Sequence, residues 1–465
     1  MLPKTLKYGN KSEAAMARSY TSNIQPNGAL GGYLPGTVTT INIPTGPNLA
    51  LVCSESVLKF AVTTAGADNG RFDSCGAHGL IQRIRVFHGS NLIEDTDCYG
   101  LLAKEYFDLQ VSTDACYGKF NILAGTRGDM FLNQQNTTTT ASDLATVITM
   151  ANALKTTINA GRATAVNSGA PLLLGDRSTY CLTLISILGS LCSNNYFPLF
   201  ECTSAPLRLE IQWVSDIKSA GAFTNGVTGF SIDNIEYIGS YLALSGEAMN
   251  IIRSGLNGPL SFTNQGVRNY QATGNIVANA TTQVNFNIPA KFGSVKNIIT
   301  SIRDTAIGVN TALCYPFSSN VSGLQNYNFR IGSSSSIPAI PPSTIPQYFT
   351  ELLKAVGSVS DLNHQPSIDL TSYQQPFSLP NADAAQIAIG SINSGSFYIG
   401  LDCENYALSD KSSLYTGYNT KNDDIILCMN FLAGAGAAIP TARFDAFVMF
   451  DQEVIFENGT CYVSF

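Results

Sequence analysis

Several stretches of the chain alternate apolar and polar side chains with the period of two that a half-buried β-strand requires. In the first half they are Thr39 to Pro44, Leu80 to His88, Leu207 to Trp213 and Ile232 to Leu244. In the second half they are Gln283 to Pro289 and Leu324 to Ile331, and strand pairs of β composition at Ile425 to Leu432 and Phe444 to Phe465 close that half. About five strands per half are legible in this way. Proline closes the first strand of each set, and a Gly-Ser turn, Gly89-Ser90 or Gly332-Ser333, follows the second.

Laid against itself, the chain repeats this order of parts at a nearly constant offset. The two closing prolines, Pro44 and Pro289, lie 245 positions apart (289 minus 44), and Gly89 and Gly332 lie 243 apart (332 minus 89). After each Gly-Ser turn the apolar period shifts towards 3.6. Tyr99, Leu102, Ala103, Tyr106 and Phe107 line one helical face, and Tyr348, Leu352, Leu353 and Val356 line another. Lys104 and Lys354 are read as counterparts on these helices, at an offset of 250 (354 minus 104). The pattern predicts a duplicated β unit.

The expected organisation is an N-terminal arm (1–27), a first β domain (28–250), a linking region (251–275) and a second β domain (260–465), divided near Leu260. The linking region contains Gly255, Gly258, Pro259, Gly266 and Gly274, which break any regular period. Two segments read as insertions. Asn133 to Pro171 is rich in Thr, Ala and Asn and carries a possible helix from Ser142 to Leu154. Ile337 to Pro346 holds four prolines, which enforce extended backbone. The apolar run from Tyr180 to Cys192 is too short to span a bilayer and reads as a buried strand with its turn.

Composition adds a constraint that the pattern lacks. The 465 residues exceed the roughly 250–300 at which a single core stops growing, which agrees with two domains. Charged residues make up only 13% of the chain, against about 25% in ordinary globular proteins. So few charges suit a subunit whose flanks are buried against neighbours, because interface cores are depleted in charge. The net charge of −7 offers no footprint for a phosphate backbone, so sequence-specific nucleic-acid binding is not expected. The exception is the N-terminal arm, where Lys4, Lys7, Lys11 and Arg18 face one acid, Glu13. It reads as a solvated tail, or as an arm touching an inner membrane, a genome or a neighbouring subunit.

The eleven cysteines are scattered without a Cys-x-x-Cys pair and read as small buried hydrophobes in a reducing compartment. No secretory signal is visible, which points to synthesis in the cytosol.

Candidate chemistry is sparse. His78, His88 and His364 have no Cys, Asp or Glu at a metal-binding spacing. Glu94, Asp95 and Asp97 sit between a strand and the first helix. They read best as acids complementing the helix N-terminus, ahead of a calcium site or a carboxylate pair. Gly28 to Gly36 precedes a strand and lacks the Gly-Lys-Ser/Thr of a phosphate loop. No nucleophile elbow is present. Catalytic, cofactor-binding and metal-binding residues are therefore expected to be absent.

The Asn42-Ile43-Pro44 strand, the Arg83 to Ser90 strand with its turn and helix, Tyr196-Phe197-Pro198-Leu199, and the Ala205 to Ile211 strand together resemble double-jelly-roll major capsid proteins. This is the family of adenovirus hexon and of the coats of tailless membrane phages, virophages and large DNA viruses. The resemblance is one of layout and spans roughly Thr37 to Phe465. It implies an all-β fold of two tandem eight-stranded jelly rolls with short helices and long inserted loops. It also implies a homotrimer of sixfold pseudosymmetry that tiles an icosahedral shell, located in the virion beside penton and minor capsid proteins. It transfers no catalytic residue. The rival readings are a receptor- or glycan-binding β-sandwich spike, a glycoside-processing enzyme using Glu94 or Asp97, and a single jelly roll with a projection domain.

Overall fold

The computed structural model describes residues 17–28, 32–66, 70–126, 177–189, 191, 196–223, 227–255, 258–305, 316–332, 335–359, 366–374, 395–404, 416–434 and 438–465. The strands of the first half are β1 (Ala17–Ile24), β2 (Val38–Ile43), β3 (Leu49–Leu51), β4 (Val57–Gly66), β5 (Gly70–Phe72), β6 (Ile81–His88), β7 (Asn91–Asp97), β8 (Arg177–Leu182), β9 (Leu207–Trp213), β10 (Gly221–Phe223) and β11 (Val227–Leu244). Those of the second are β12 (Leu260–Ile276), β13 (Thr281–Ile288), β14 (Val295–Asp304), β15 (Leu324–Ile331), β16 (Ser335–Ile337), β17 (Tyr398–Asp402), β18 (Ile425–Leu432), β19 (Ile439–Glu457) and β20 (Thr460–Ser464).

In the first half β1-β11-β4-β8 form one antiparallel sheet and β2-β9-β6-β7 the sheet facing it. In the second the orders are β12-β19-β14-β17 and β13-β18-β15-β16. Setting aside β3, β5, β10 and β20, the described residues of each half form eight strands in which the first pairs the eighth, the eighth the third and the third the sixth. The second likewise pairs the seventh, the seventh the fourth and the fourth the fifth. Two jelly rolls of identical connectivity stand in tandem, which overturns the single jelly roll with a projection domain.

The repeat is regular up to the helices and then contracts. Ala17 and Leu260, which open β1 and β12, are 243 positions apart, as are Ile81 and Leu324, which open β6 and β15. The openings of β8 and β17 are 221 apart (398 minus 177), and those of β11 and β19 are 212 apart (439 minus 227). The connection after the helix accounts for most of the change: Gln110 to Arg177 covers 67 positions, and Val356 to Tyr398 covers 42.

Each sandwich has its own core. Phe60, Tyr180 and Trp213 are buried in the first, with the indole N–H of Trp213 donating to Thr39 Oγ1 at 2.8 Å. Tyr327, Phe329, Phe431 and Phe444 fill the second. Each such side chain contributes about 1.5–3 kcal/mol relative to exposure.

Several sequence expectations need correction. The region read as an irregular linker holds a helix, Gly246–Gly255, and then the 17-residue strand β12. Its glycines do not interrupt the strand, because a Cβ at Gly266 would lie 2.7 Å from the ring of Phe450, and one at Gly274 would lie 3.0 Å from that of Phe444. They are close-approach positions. Residues 17–24 of the expected arm are β1, paired along its whole length with β11, so the first sandwich opens at Ala17 and not at 28. The strand read from Tyr180 onward ends at Leu182 and gives way to an irregular buried segment. The expected helix at Ser142 to Leu154, the rest of 133–171, and His364 lie outside the described residues.

Candidate functional site

A buried polar cluster lies at the seam where the two sandwiches meet. One side of it is the helix Tyr99–Gln110, which follows β7. The chain enters the helix through Cys98 in a left-handed conformation (φ 51°), and Gly100 admits the Phe317 ring, which a Cβ would meet at 2.8 Å. Its apolar face, read from the sequence, is buried on the first sandwich. Ten of its twelve residues are buried, however, and these include Lys104, Glu105 and Asp108. The outer face of the β12-β19-β14-β17 sheet covers them together with Asp73 and Ser74 of the first sandwich.

On that face Tyr398, Ser301, Asp445 and Gln271 stand directly opposite one another across four strands. Tyr398 Oη donates to Asp108 Oδ2 at 2.8 Å, and Gln271 Nε2 donates to Cys98 Sγ at 3.1 Å. Lys104 Nζ reaches Asp73 at 3.3 Å and Asp108 at 3.2 Å, and also donates to Ser74 Oγ (3.0 Å) and, across the seam, Ser396 Oγ (3.3 Å). Burial alone would lower the Lys104 pKa, yet the carboxylates of Asp108 and Asp73 hold it above its ordinary value. Asp73 is pushed up by burial against the pull of Lys104. Both Glu105 oxygens are buried without a hydrogen-bond partner among the described residues, and burial, with Asp445 nearby, lifts its pKa well above the usual range.

Above this cluster Asp445 takes two arginines, Arg303 at 2.6 Å and Arg443 at 2.9 Å. A cavity of about 300 Å³ opens beside them, lined in part by Gln82, Cys98, Lys218, Arg303, Phe317 and Arg443. Asp445 partly offsets the charge of the two arginines on its wall. The Cys98 thiol is raised by burial and by Asp445, the reverse of an activated nucleophile.

The three acids singled out in the sequence go three ways. None caps the helix, whose N-cap position makes no side-chain cap hydrogen bond. All three lie on β7. Glu94 turns to the segment after β8, accepting from Ser186 Oγ at 2.5 Å and the Ile187 N–H at 3.1 Å, and burial pushes its pKa up to about 7. Asp95 takes Arg83 in a two-pronged pair at 2.6 Å and, across the seam, Arg268 at 3.2 Å. Asp97 accepts from the Cys98 N–H at 2.8 Å. The acids do not converge on one point, and no group of three potential metal ligands occurs among the described residues.

The lysines expected to correspond also part company. Lys104 is fully buried in the seam, while Lys354 is exposed and pairs with Glu351 at 2.6 Å on its own helix. His78 is buried beside Tyr99 (3.2 Å), and burial lowers its pKa to about 3, so it is neutral. At the other end of the seam Phe197 of the first sandwich packs on Phe262 and Phe456 of the second. Gly32 and Gly36 adopt positive φ in the lead-in to β2, where the Gly32 N–H donates to Asp233.

This geometry is that of two sandwiches joined by a buried polar and aromatic seam. Among solved structures the chain is similar to PBCV-1 VP54, as fitted into a reconstruction of the virophage Sputnik: 11% identity, TM-score 0.62, 99% of this chain and 100% of that one covered. The fold is the double jelly roll of viral major capsid proteins. The mavirus major capsid protein aligns with TM-score 0.56 at 11% identity (100% and 93% covered). The Faustovirus major capsid protein does so with TM-score 0.50 at 10% identity (97% and 92%). No protein-family model and no curated protein sequence matches the chain.

Proposed function

We propose that this chain is the structural major capsid protein of an icosahedral virus, trimerising into pseudo-hexameric capsomers that tile the shell. The observation that carries the reading is the full-length double-jelly-roll likeness, with both sandwiches present and in the same strand order. The 13% charge content supports it, since flanks destined for burial between copies need few charges. Three copies of a duplicated sandwich present six similar walls, which fit a sixfold lattice position.

On this reading the protein is made in the host cytosol and resides in the virion. Its partners are neighbouring capsomers, penton and minor capsid proteins, with the basic arm (Lys4, Lys7, Lys11, Arg18) reaching a genome or an internal membrane. Negative-stain imaging with solution mass measurement tests the proposal. Trimers or shells are expected, and a protein that stays monomeric at every salt concentration overturns it.

A further inference from the structure

The cysteines read from the sequence as small buried hydrophobes, and two of them meet across the seam. Cys202 follows the 3-10 turn Leu199–Glu201 of the first sandwich, and Cys461 lies on β20 of the second. Both are fully buried in one core, and their thiols hydrogen-bond each other although 259 positions (461 minus 202) separate them.

The backbone on either side of the pair is held in register. Two residues beyond Cys202, the Ser204 N–H donates at 3.1 Å to the carbonyl of Gly459, two residues before Cys461. A Cβ on Gly459 would lie 2.6 Å from Thr203 Oγ1, so the two segments pass in close contact. The His88 ring bridges them next, with the Ala205 carbonyl at one nitrogen and the Cys461 N–H at the other. Phe456, opposite Cys461 in the β19-β20 register, packs on Phe197 a few residues ahead of Cys202. A disulfide needs its two Cβ atoms facing each other roughly 3.5–4.5 Å apart. Two hydrogen-bonded thiols on segments pinned this closely complete that approach by side-chain rotation.

We infer that Cys202 and Cys461 are a redox latch: a dithiol under reducing conditions and, in an oxidising medium, a disulfide that joins the two sandwiches covalently. The step is thiol–disulfide exchange with a small-molecule disulfide of the oxidised glutathione class. One cysteine sulfur attacks that reagent, displaces one of its thiolates and forms a mixed disulfide. The other cysteine sulfur attacks the protein-bound sulfur and displaces the second thiolate. The two cysteine protons leave on the two released small thiols, and the two electrons lost by the protein reduce the reagent. While β20 is seated, the contact with Cys202 and burial hold the Cys461 thiol well above its ordinary value, so little thiolate is available. Local opening of β20, a five-residue strand paired with β19, is the step that admits the reagent. The bond forms within one chain, whatever its assembly. It closes a loop of 259 positions, and cross-links that close long loops constrain the unfolded chain most.

The test holds the full chain with oxidised glutathione in urea below its unfolding transition, where local openings are frequent. Remaining thiols are then alkylated, and the protein is digested without reductant. Mass spectrometry is expected to find peptides joined through Cys202 and Cys461. With them are expected a higher urea midpoint and amide exchange over residues 460–464 slowed roughly tenfold or more, both reversed by dithiothreitol. Cys202→Ser and Cys461→Ser are each expected to abolish the difference between oxidised and reduced protein. Each variant is compared with itself, so any loss of basal stability drops out. Recovery of Cys202 and Cys461 as alkylated thiols, as separate glutathione adducts or bonded to other cysteines overturns the inference. So does a linked pair that leaves exchange at 460–464 unchanged.

Discussion

The Nδ1 atom of His88 in β6 accepts the backbone N–H of Cys461 in β20 at 3.1 Å, across 373 positions of sequence. The other ring nitrogen, Nε2, lies 3.1 Å from the carbonyl oxygen of Ala205, to which it donates, which makes the ring the neutral Nε2–H tautomer. Beside it Asn91 Nδ2 donates to the Cys461 carbonyl at 3.1 Å. His88 therefore ties β20 to the first sandwich.

His88→Phe keeps the bulk of the ring and removes both partners. The buried Cys461 N–H is then left unsatisfied, at about 1–3 kcal/mol, and the half-buried Ala205 carbonyl loses its donor. The expected result is a lower melting temperature with faster amide exchange confined at first to residues 460–464. Exchange that rises evenly over the molecule, or not at all, contradicts the fastening role.

The Lys104 cluster gives a second prediction. Breaking a buried ion pair by removing one partner costs about 3–5 kcal/mol, while neutralising every member together is often close to neutral. Lys104→Met strands Asp73 and Asp108 and is expected to destabilise by that amount. The triple variant Asp73→Asn, Lys104→Met, Asp108→Asn is expected to recover most of the loss in urea denaturation. A triple variant as unstable as the single one shows that the cluster is indispensable for reasons other than charge balance.

Glu94 sets a pH dependence. Burial raises its pKa from the ordinary 4.5 to about 7, so in the folded chain it holds a proton that the unfolded chain releases. Its contribution is full below pH 4.5 and is lost as pH rises through about 7. At about 1.4 kcal/mol per pH unit the ceiling is about 3 kcal/mol. Glu105 acts in the same direction. Glu94→Gln is expected to flatten the stability profile between pH 5 and pH 8, read from denaturant midpoints, and an unchanged profile counts against this assignment.

How much of this was legible in the sequence depended on whether one face of an element meets water. β2, β6, β9, β13, β15 and β18 alternate because one side is core and the other is not. β14 is buried on both faces (Val295 to Asp304), so its alternation vanishes. β12 has polar, half-exposed side chains and two glycines, and reads as a linker until Phe444 and Phe450 are seen beside those glycines. Lys104, Glu105 and Asp108 sit where helical periodicity puts the solvent face, and Asp73 and Ser74 of the first sandwich together with Ser396 and Tyr398 of the second close over Lys104 and Asp108. The site was missed because nothing within one half of the chain encodes what the other half will cover.

The glycine in β12 can be tested directly. Phe450 stacks on Phe292 with centroids 3.7 Å apart and planes within 5°. A Cβ on Gly266 would meet the Phe450 ring at 2.7 Å and Gln452 Oε1 at 2.8 Å. Phe292, stacked on the ring, leaves it little freedom to shift, so the added methyl forces either strand or stack to move, at about 1–3 kcal/mol. Gly258, just outside the strand, has nothing within 4 Å of its Cβ position. Gly266→Ala should therefore lower the melting temperature by several degrees, whereas Gly258→Ala should stay within about 0.5 kcal/mol of the parent. Equal stability of the two variants indicates that Gly266 is present to break a period, as the sequence alone suggests, and not to admit Phe450.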